Sequence, residues 1–358
     1  MKLFFFFLIG VFILPFPGQA QRKLNNLPTI PGYKTLKADL HIHTVFSDGE
    51  VWPTFRVDEA AREGFDIIAI TDHIEYLPHQ KYIAASHNAS YEIASVRARE
   101  QNMILIKGVE ITRPMPTGHF NALFIQDADK LVHDDFWKVM EEANRQGAFV
   151  FWNHPGWKKQ QPDGSPKFQD AQLELLRRGW LHGIEYYNTK CAYGFVLDWC
   201  AEKNLTVLSN SDVHIAVRDF WEFDKGGVRP ATLIFARERT EASVKEALIK
   251  NQTLAFYGRD SLAGKREWAE AFFKSSLDIR PPYYENGETV SVEIVNHTSL
   301  TYHLENTDLN HELKSITLEP FTVNRVRFKK TKTPFIFRIR NIRVASDQFL
   351  ETSLKLLP

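Results

Sequence analysis

The chain has 358 residues, 44 Lys and Arg against 44 Asp and Glu, and 44% hydrophobic residues. That length can bury a core without disulfides and suggests one large α/β barrel with an appendage, or two domains. Balanced charge excludes a global basic field for nucleic acid, and the composition is that of an ordinary globular protein.

Met1-Lys2 precedes an apolar run over residues 3–16 and then Gly18-Gln19-Ala20. A charged start, a hydrophobic stretch and small residues at a cleavage point read as a signal peptide over 1–20. The run is short for a bilayer span, with a membrane anchor as the competing reading. The expected location is secreted or periplasmic, with no membrane span once the leader is removed. Residues 21–35 read as a polar, Pro-containing arm.

Residues 36–42 read as a strand that ends in Asp39-Leu40-His41-Ile42-His43-Thr44, with Ser47-Asp48-Gly49 behind it. Alternate strand residues share a face, so His41 and His43 aim two imidazoles to one side, a spacing suited to one metal ion. Gly49 lets the backbone return Asp48 to the same place. Pro53 opens a helix with Val57, Ala60 and Ala61 on its apolar face, and Gly64 ends it. A buried parallel strand over 65–70 stops at Thr71-Asp72-His73.

A loop over 77–84 leads to a helix over 85–101 and a strand over 103–109 that ends in Glu110. Gly118-His119-Phe120-Asn121 opens an apolar run through Ile125. Next come a helix over 134–146, a strand over 148–152 running into Asn153-His154-Pro155-Gly156, and a helix over 171–178. A strand over 183–187, a helix over 192–203 and a strand over 205–208 lead into Ser211-Asp212-Val213-His214. A strand over 232–235, a helix over 241–250 and a strand over 253–256 complete the series. Such βα alternation implies a parallel sheet with crossover helices, closed as a barrel of about seven or eight strands with its active site at the C-terminal rim.

Cys191 and Cys200 read as lying inside one helix, about 13 Å apart along its axis. A disulfide between them is not expected, since it needs Cα atoms within about 7 Å. Asn88, Asn204, Asn251 and Asn296 head Asn-x-Ser/Thr sequons. From Glu267 on, β-rich runs over 290–294, 323–328 and 335–344 follow with no helix between them, read as a small all-β domain over 267–358. Phe335, Phe337 and Ile339 share a face, and the phase slips at Asn341, as at a bulge. Arg325, Arg327, Lys329, Lys330, Lys332, Arg338 and Arg340 form a basic hairpin, read as a solvated face rather than a polyanion site.

His41, His43, Asp48, His73, Glu110, His119, His154, Asp212 and His214 all fall at predicted strand ends of one barrel. Nine ligand-type groups are too many for one tetrahedral ion and suit two or three, with a carboxylate bridging. Mixed imidazole and carboxylate ligands fit Zn, Fe or Mn better than Ca or Mg. Adjacent ions acidify a shared water and neutralise phosphoryl charge, so no Ser or Cys nucleophile is needed.

The motifs around His41 and His43, Thr71-Asp72-His73, Gly108-Val109-Glu110, Asn153-His154-Pro155 and Ser211-Asp212-Val213-His214 resemble those of the PHP (polymerase and histidinol phosphatase) family, in its order, over residues 36–258. The resemblance implies a distorted (β/α)7-type barrel over 36–266 with a trinuclear centre. It implies one ion on His41, His43, Glu110 and Asp212, a second on Glu110, His119 and His154, and a third on Asp48, His73 and His214. The leader and the β tail resemble a secreted phosphodiesterase-like subgroup.

The expected activity is phosphate-ester hydrolysis, of a diester in preference to a monoester. Asp212 and His214 are expected at the reacting centre, and Arg113 and Arg218 as phosphate clamps. Trp157, Phe220 and Trp221 beside the ligand motifs read as an aromatic wall for a base or aryl leaving group, with ordinary rim packing as the competing reading. A 3′-5′ exonuclease would need a basic track; a surface-polymer binding protein would have no use for the full ligand set. No stable nucleic-acid complex is expected, and protein partners are unspecified.

Overall fold

Strand β1 (Lys34–Ile42) is buried from Leu36 to its end, and the rest of the barrel is laid around it. The computed structural model describes residues 26–331 and 334–357; the leader read over 1–20 and Lys332 lie outside them. After β1 come α1 (Pro53–Arg62), β2 (Ile67–Ile70), α2 (Ala89–Glu100), β3 (Ile104–Thr112) and β4 (His119–Leu123). Then follow α3 (Phe136–Arg145), β5 (Phe149–Trp152), α4 (Asp170–Arg178), β6 (Gly183–Asn188), a two-residue β7 (Cys191–Ala192), α5 (Phe195–Glu202) and β8 (Thr206–Asn210).

Hydrogen-bonded neighbours run β1-β2-β3-β4-β5-β6-β8. The ring closes at the rim, where the Asp212 N–H donates to the His41 carbonyl (2.9 Å) and the His43 N–H to that of Val213 (3.1 Å). Below, side chains stitch the same seam: Asn210 Oδ1 accepts from the Leu40 N–H (3.0 Å), and Asp39 Oδ1 from the Ser211 N–H (3.1 Å). A seam held partly by side chains rather than by a backbone ladder is what distorts this seven-stranded barrel. Apolar residues from strands around the ring, among them Leu36, Leu40, Ile106, Phe151 and Leu208, fill its interior.

Only β4 departs from the parallel order, pairing antiparallel with both β3 and β5. The link over 113–118 is far too short for a crossover, which needs a dozen residues or more, so the chain turns back at the rim. The expected parallel sheet also fails for β9 (Ala231–Ala236), antiparallel to β1, and β10 (Thr253–Tyr257), antiparallel to β9. After β8 the chain stays at the rim in the short α6 (Val217–Trp221) and so enters β9 heading down.

β1 carries a bulge between Asp39 and Ile42. Leu36, Ala38 and Leu40 face the interior, whereas Ile42 packs outward with Val57 and Ile68. The extra residue flips the phase, so His41 joins the interior immediately after Leu40. Simple alternation does not contain that step.

The tail is not purely strands. After β11 (Ser261–Gly264), and inside the stretch 267–358 read as all-β, α8 (Arg266–Ser275) buries Ala269, Phe272 and Phe273. Two antiparallel sheets follow, and Val292, Ile294 and Phe328 of one share a core with Tyr302, Leu304 and Phe337 of the other. The slip near Asn341 coincides with a register shift against the last strand, Phe349–Leu354. Asn341 Nδ2 donates to Asp260 O (2.7 Å) and Thr301 O (2.9 Å), tying the tail to the barrel. The basic hairpin dissolves: Arg325 and Arg338 lie in different sheets, paired with Glu293 and Glu351. Cys191 is exposed on β7, outside the helix expected to hold it, and Cys200 is buried; the two are not bonded. No helix among the described residues is long and apolar enough to cross a membrane.

One buried side chain holds the two loops that carry the ligand-type residues. The Arg56 guanidinium of α1 donates to the carbonyls of His43 (2.7 Å), Val213 (3.0 Å), His214 (2.7 Å) and Ile215 (2.8 Å). It also meets Glu59 Oε1 at 2.5 Å, and Glu59 Oε2 accepts from the Val217 N–H (3.0 Å). Arg56→Met takes a donor from each of four carbonyls and strips the buried Glu59 of its counter-charge, so it should cost about 3–5 kcal/mol. Thermal denaturation should show a clear fall in Tm, and Glu59→Gln in the same chain should recover part of it.

Candidate metal centre

The nine ligand-type side chains expected from the sequence converge at one end of the barrel. They form three groups: His41, His43, Glu110 and Asp212; Glu110, His119 and His154; and His43, Asp48, His73 and His214. Glu110 belongs to two. Its Oε2 lies 3.1 Å from His41 Nε2 and 3.2 Å from His43 Nε2, and its Oε1 lies 2.8 Å from His119 Nδ1 and 3.6 Å from His154 Nε2. Glu110 lies inside β3, not after its end as expected, and His119 opens β4. The antiparallel pair therefore sets them on adjacent strands at the rim.

The first group has the shape of an ion site. His41 Nε2 is 3.1 Å from His43 Nε2, and Asp212 Oδ1 is 3.2 and 3.1 Å from those two nitrogens. With the Glu110 distances, five of the six separations among four donor atoms are 3.1–3.2 Å. These are edges of a tetrahedron whose centre lies about 2 Å from each corner, the zinc-type ligand distance. His41 Nδ1 bonds Glu185 Oε1 at 2.9 Å, so its proton sits there and Nε2 turns a lone pair inward. Lone pairs and carboxylate oxygens packed this closely repel unless a cation lies among them.

The second group carries a buried atom without a partner, His154 Nδ1, and the third another, Asp48 Oδ1. Asp48 Oδ1 sits 3.3 Å from His214 Nε2, 3.5 Å from His73 Nε2 and 3.7 Å from His43 Nδ1. The His43 ring is stacked between those of His73 and His214, with centroids 4.5 and 4.3 Å away. Electrostatics mark the same need for positive charge. Burial alone would lower His41, yet Asp212, Glu185 and Glu110 hold it well above the ordinary imidazole range. His154 and His214 are raised against burial by Glu110 and Asp48 respectively. Burial works to raise Glu110, Asp48 and Asp212, but the surrounding imidazoles hold all three low.

The supporting residues are mostly ones that sequence reasoning missed. Glu185, fully buried on β6, accepts from the His154 N–H (2.7 Å), Asn188 Nδ2 (2.8 Å) and Asn210 Nδ2 (2.9 Å) besides His41. A lone acid inside the apolar run Gly183-Ile184-Glu185-Tyr186 was the available signal. Asp72 takes the Thr44 N–H, the Thr44 hydroxyl and the Ser47 hydroxyl, each at 2.7 Å, and so folds the Asp48 loop. A Cβ on Gly49 would sit 2.7 Å from the His43 carbonyl carbon, so this turn admits only glycine. Asp212 (φ 52°) and His154 (φ 27°) hold left-handed backbone, strain of about 1–2 kcal/mol each that the rim loops sustain.

The arginines behave otherwise than expected. Arg113 turns to Glu75 Oε1 (2.5 Å) and the His133 carbonyl (2.7 Å), and Arg218 is exposed beside Asp219 on a separate cavity. Neither lines the cavity of about 710 Å³ that opens over the three groups; Lys159 does, with Tyr76, Trp157, Phe220 and Trp221. Glu75 is a stronger attractor for Arg113 than an empty cavity, and the α6 helix points Arg218 to solvent.

A family model described as a PHP domain matches residues 39–161, and another described as an Ig-like domain matches 277–355. Among solved structures, a two-domain protein of Bacteroides vulgatus containing a predicted PHP-like metal-dependent phosphoesterase is 39% identical, with a TM-score of 0.88 over 93% of this chain and 98% of that one. An uncharacterised protein of Methanocaldococcus jannaschii is 28% identical over 190 residues, 50% of this chain and 82% of that protein. The DNA polymerase/3'-5' exonuclease PolX of Bacillus subtilis is 32% identical over 78 residues, 21% of this chain and 14% of that protein. With two-domain likeness over nearly its whole length, and the motif residues gathered at the barrel rim, the chain belongs to the PHP family.

Proposed function

We propose that the protein is a metal-dependent phosphodiesterase, exported from the cytoplasm by its leader. The observation that carries this reading is the sharing of Glu110 between two donor groups beneath one open cavity. His41, His43, Glu110 and Asp212 would hold one divalent ion; Glu110, His119 and His154 a second; Asp48, His73 and His214 a third, with Zn, Fe or Mn suited to the donors. Ions there supply Lewis-acid stabilisation of phosphoryl charge and lower the pKa of nearby water.

The chain's own residues do the rest. Glu185 fixes the His41 tautomer, so that Nε2 and not Nδ1 faces the centre. His214 Nδ1 lies 2.8 Å from the Asp212 carbonyl, which takes its proton and leaves Nε2 as a ligand toward Asp48. With an ion on Nε2, His214 would have no proton to give a leaving group, and neither Arg113 nor Arg218 lines the cavity to assist. Asp212 acts at the reacting centre by closing the first group. Lys159 is the one Lys or Arg lining the cavity among the described residues. The preference for a diester over a monoester rests on the resemblance of the leader and β tail to a secreted phosphodiesterase-like subgroup.

His41→Ala or Asp212→Ala should lower both bound metal, by elemental analysis, and turnover; unchanged stoichiometry would remove them as ligands. Glu185→Gln should weaken metal affinity about 10–100-fold while leaving the ion count at saturation unchanged, as read by metal titration. On metal-reconstituted protein, aryl diesters should be hydrolysed with higher kcat/KM than the matching aryl monoesters, and the reverse order would overturn the diester reading.

A further inference from the structure

The cavity is far larger than a phosphoryl group, and aromatic rings make up much of its wall beyond the donor groups. Among the described lining residues, the Thr112 hydroxyl is taken by His73 Nδ1 (2.5 Å) and the Thr189 hydroxyl by Asn188 Oδ1 (2.7 Å). Aromatic faces are what the walls offer instead. Tyr76 and Trp157 come from the loops after β2 and β5 and Phe220 from α6 after β8, and they line the cavity with the three donor groups.

Trp157 stands closest to the chemistry. Its ring centroid is 5.3 Å from that of His154 and 5.7 Å from that of His119. A group bonded to a phosphoryl oxygen over the second donor group would therefore meet the indole. The residue is 37% exposed and lines the cavity. Lys159 Nζ lies 5.2 Å from its centroid and brings positive charge to the same wall.

Resting on the phosphodiesterase reading, we propose that the ester carries a planar aromatic or heteroaromatic group that stacks on Trp157. Such a ring belongs to an aryl ester or to a nucleoside, and every π-face can use the platform. Specificity then comes from a flat surface, with the ions recognising only the phosphate.

The test keeps the leaving group constant. Metal-reconstituted protein is assayed with the 4-nitrophenyl diesters of methanol, of phenol and of thymidine through its 5′-oxygen. Phenyl and thymidine esters should exceed the methyl ester in kcat/KM by about tenfold or more. Trp157→Ala should collapse that ratio toward one, and Trp157→Phe should keep most of it. Thymidine alone exceeding methyl would point to a nucleoside, and both exceeding it equally to any aryl group; either supports stacking. Equal values for all three with a common fall in Trp157→Ala would put the nitrophenyl ring itself on the indole and support stacking; equal values that Trp157→Ala leaves unchanged, or a ratio that survives Trp157→Ala, would overturn it. If no diester turns over, the phosphodiesterase reading fails separately. Calorimetric titration with phenylphosphonate and methylphosphonate then decides the ring, since equal affinities would exclude stacking.

Discussion

A single carboxylate, Glu110, joins what would otherwise be separate clusters. One of its oxygens meets His41 and His43, and the other meets His119 and His154. It is almost wholly buried, and an acid in that position survives only with compensating charge close on both sides. The histidines have to come from strands distant in sequence, so the barrel must close for Glu110 to be satisfied at all. Closure runs through the Asp212 and His43 backbone bonds to the opposite strand ends. Fold and site are thus one construction: the bonds that seal the ring also place two of the donor groups.

Rigidity around the donors has identifiable sources. Arg56 ties four carbonyls of the two loops together from behind, and Asp72 fixes the turn that returns Asp48. Glu185 reaches His41 and the His154 backbone at once. None of these three opens onto the cavity, yet each sets where a donor atom stands. The Arg229 Nε bond to Asp39 (2.8 Å) continues the same support below the seam.

Much of this was legible in the sequence because ligand-type residues followed apolar strands in short motifs, and position along a strand is a local property. His41, His43, His73, His154 and Asp212 could be read that way. Partnership across the barrel could not. Glu185, Asp72 and Arg56 look like any strand acid, turn acid and helix base until the ring is closed. Arg113 and Arg218 failed for the same reason: nearness in sequence to a ligand says nothing of where a long side chain finds its nearest opposite charge. The β1 bulge was invisible because Leu40 and His41 read as opposite faces under strict alternation. The turn-back at β4 was recoverable from loop length, and α8 from the spacing of Ala269, Phe272 and Phe273.

The two reading frames of this chain, motif and geometry, meet in the number and place of its ions. Anomalous-scattering maps from crystals grown with zinc or manganese give both directly. Three peaks are predicted beneath the cavity, each about 2 Å from its donor atoms, with Glu110 bridging two of them. A map with no peak between His41, His43 and Asp212, or with Glu110 bound to no ion, would contradict the shared-carboxylate centre.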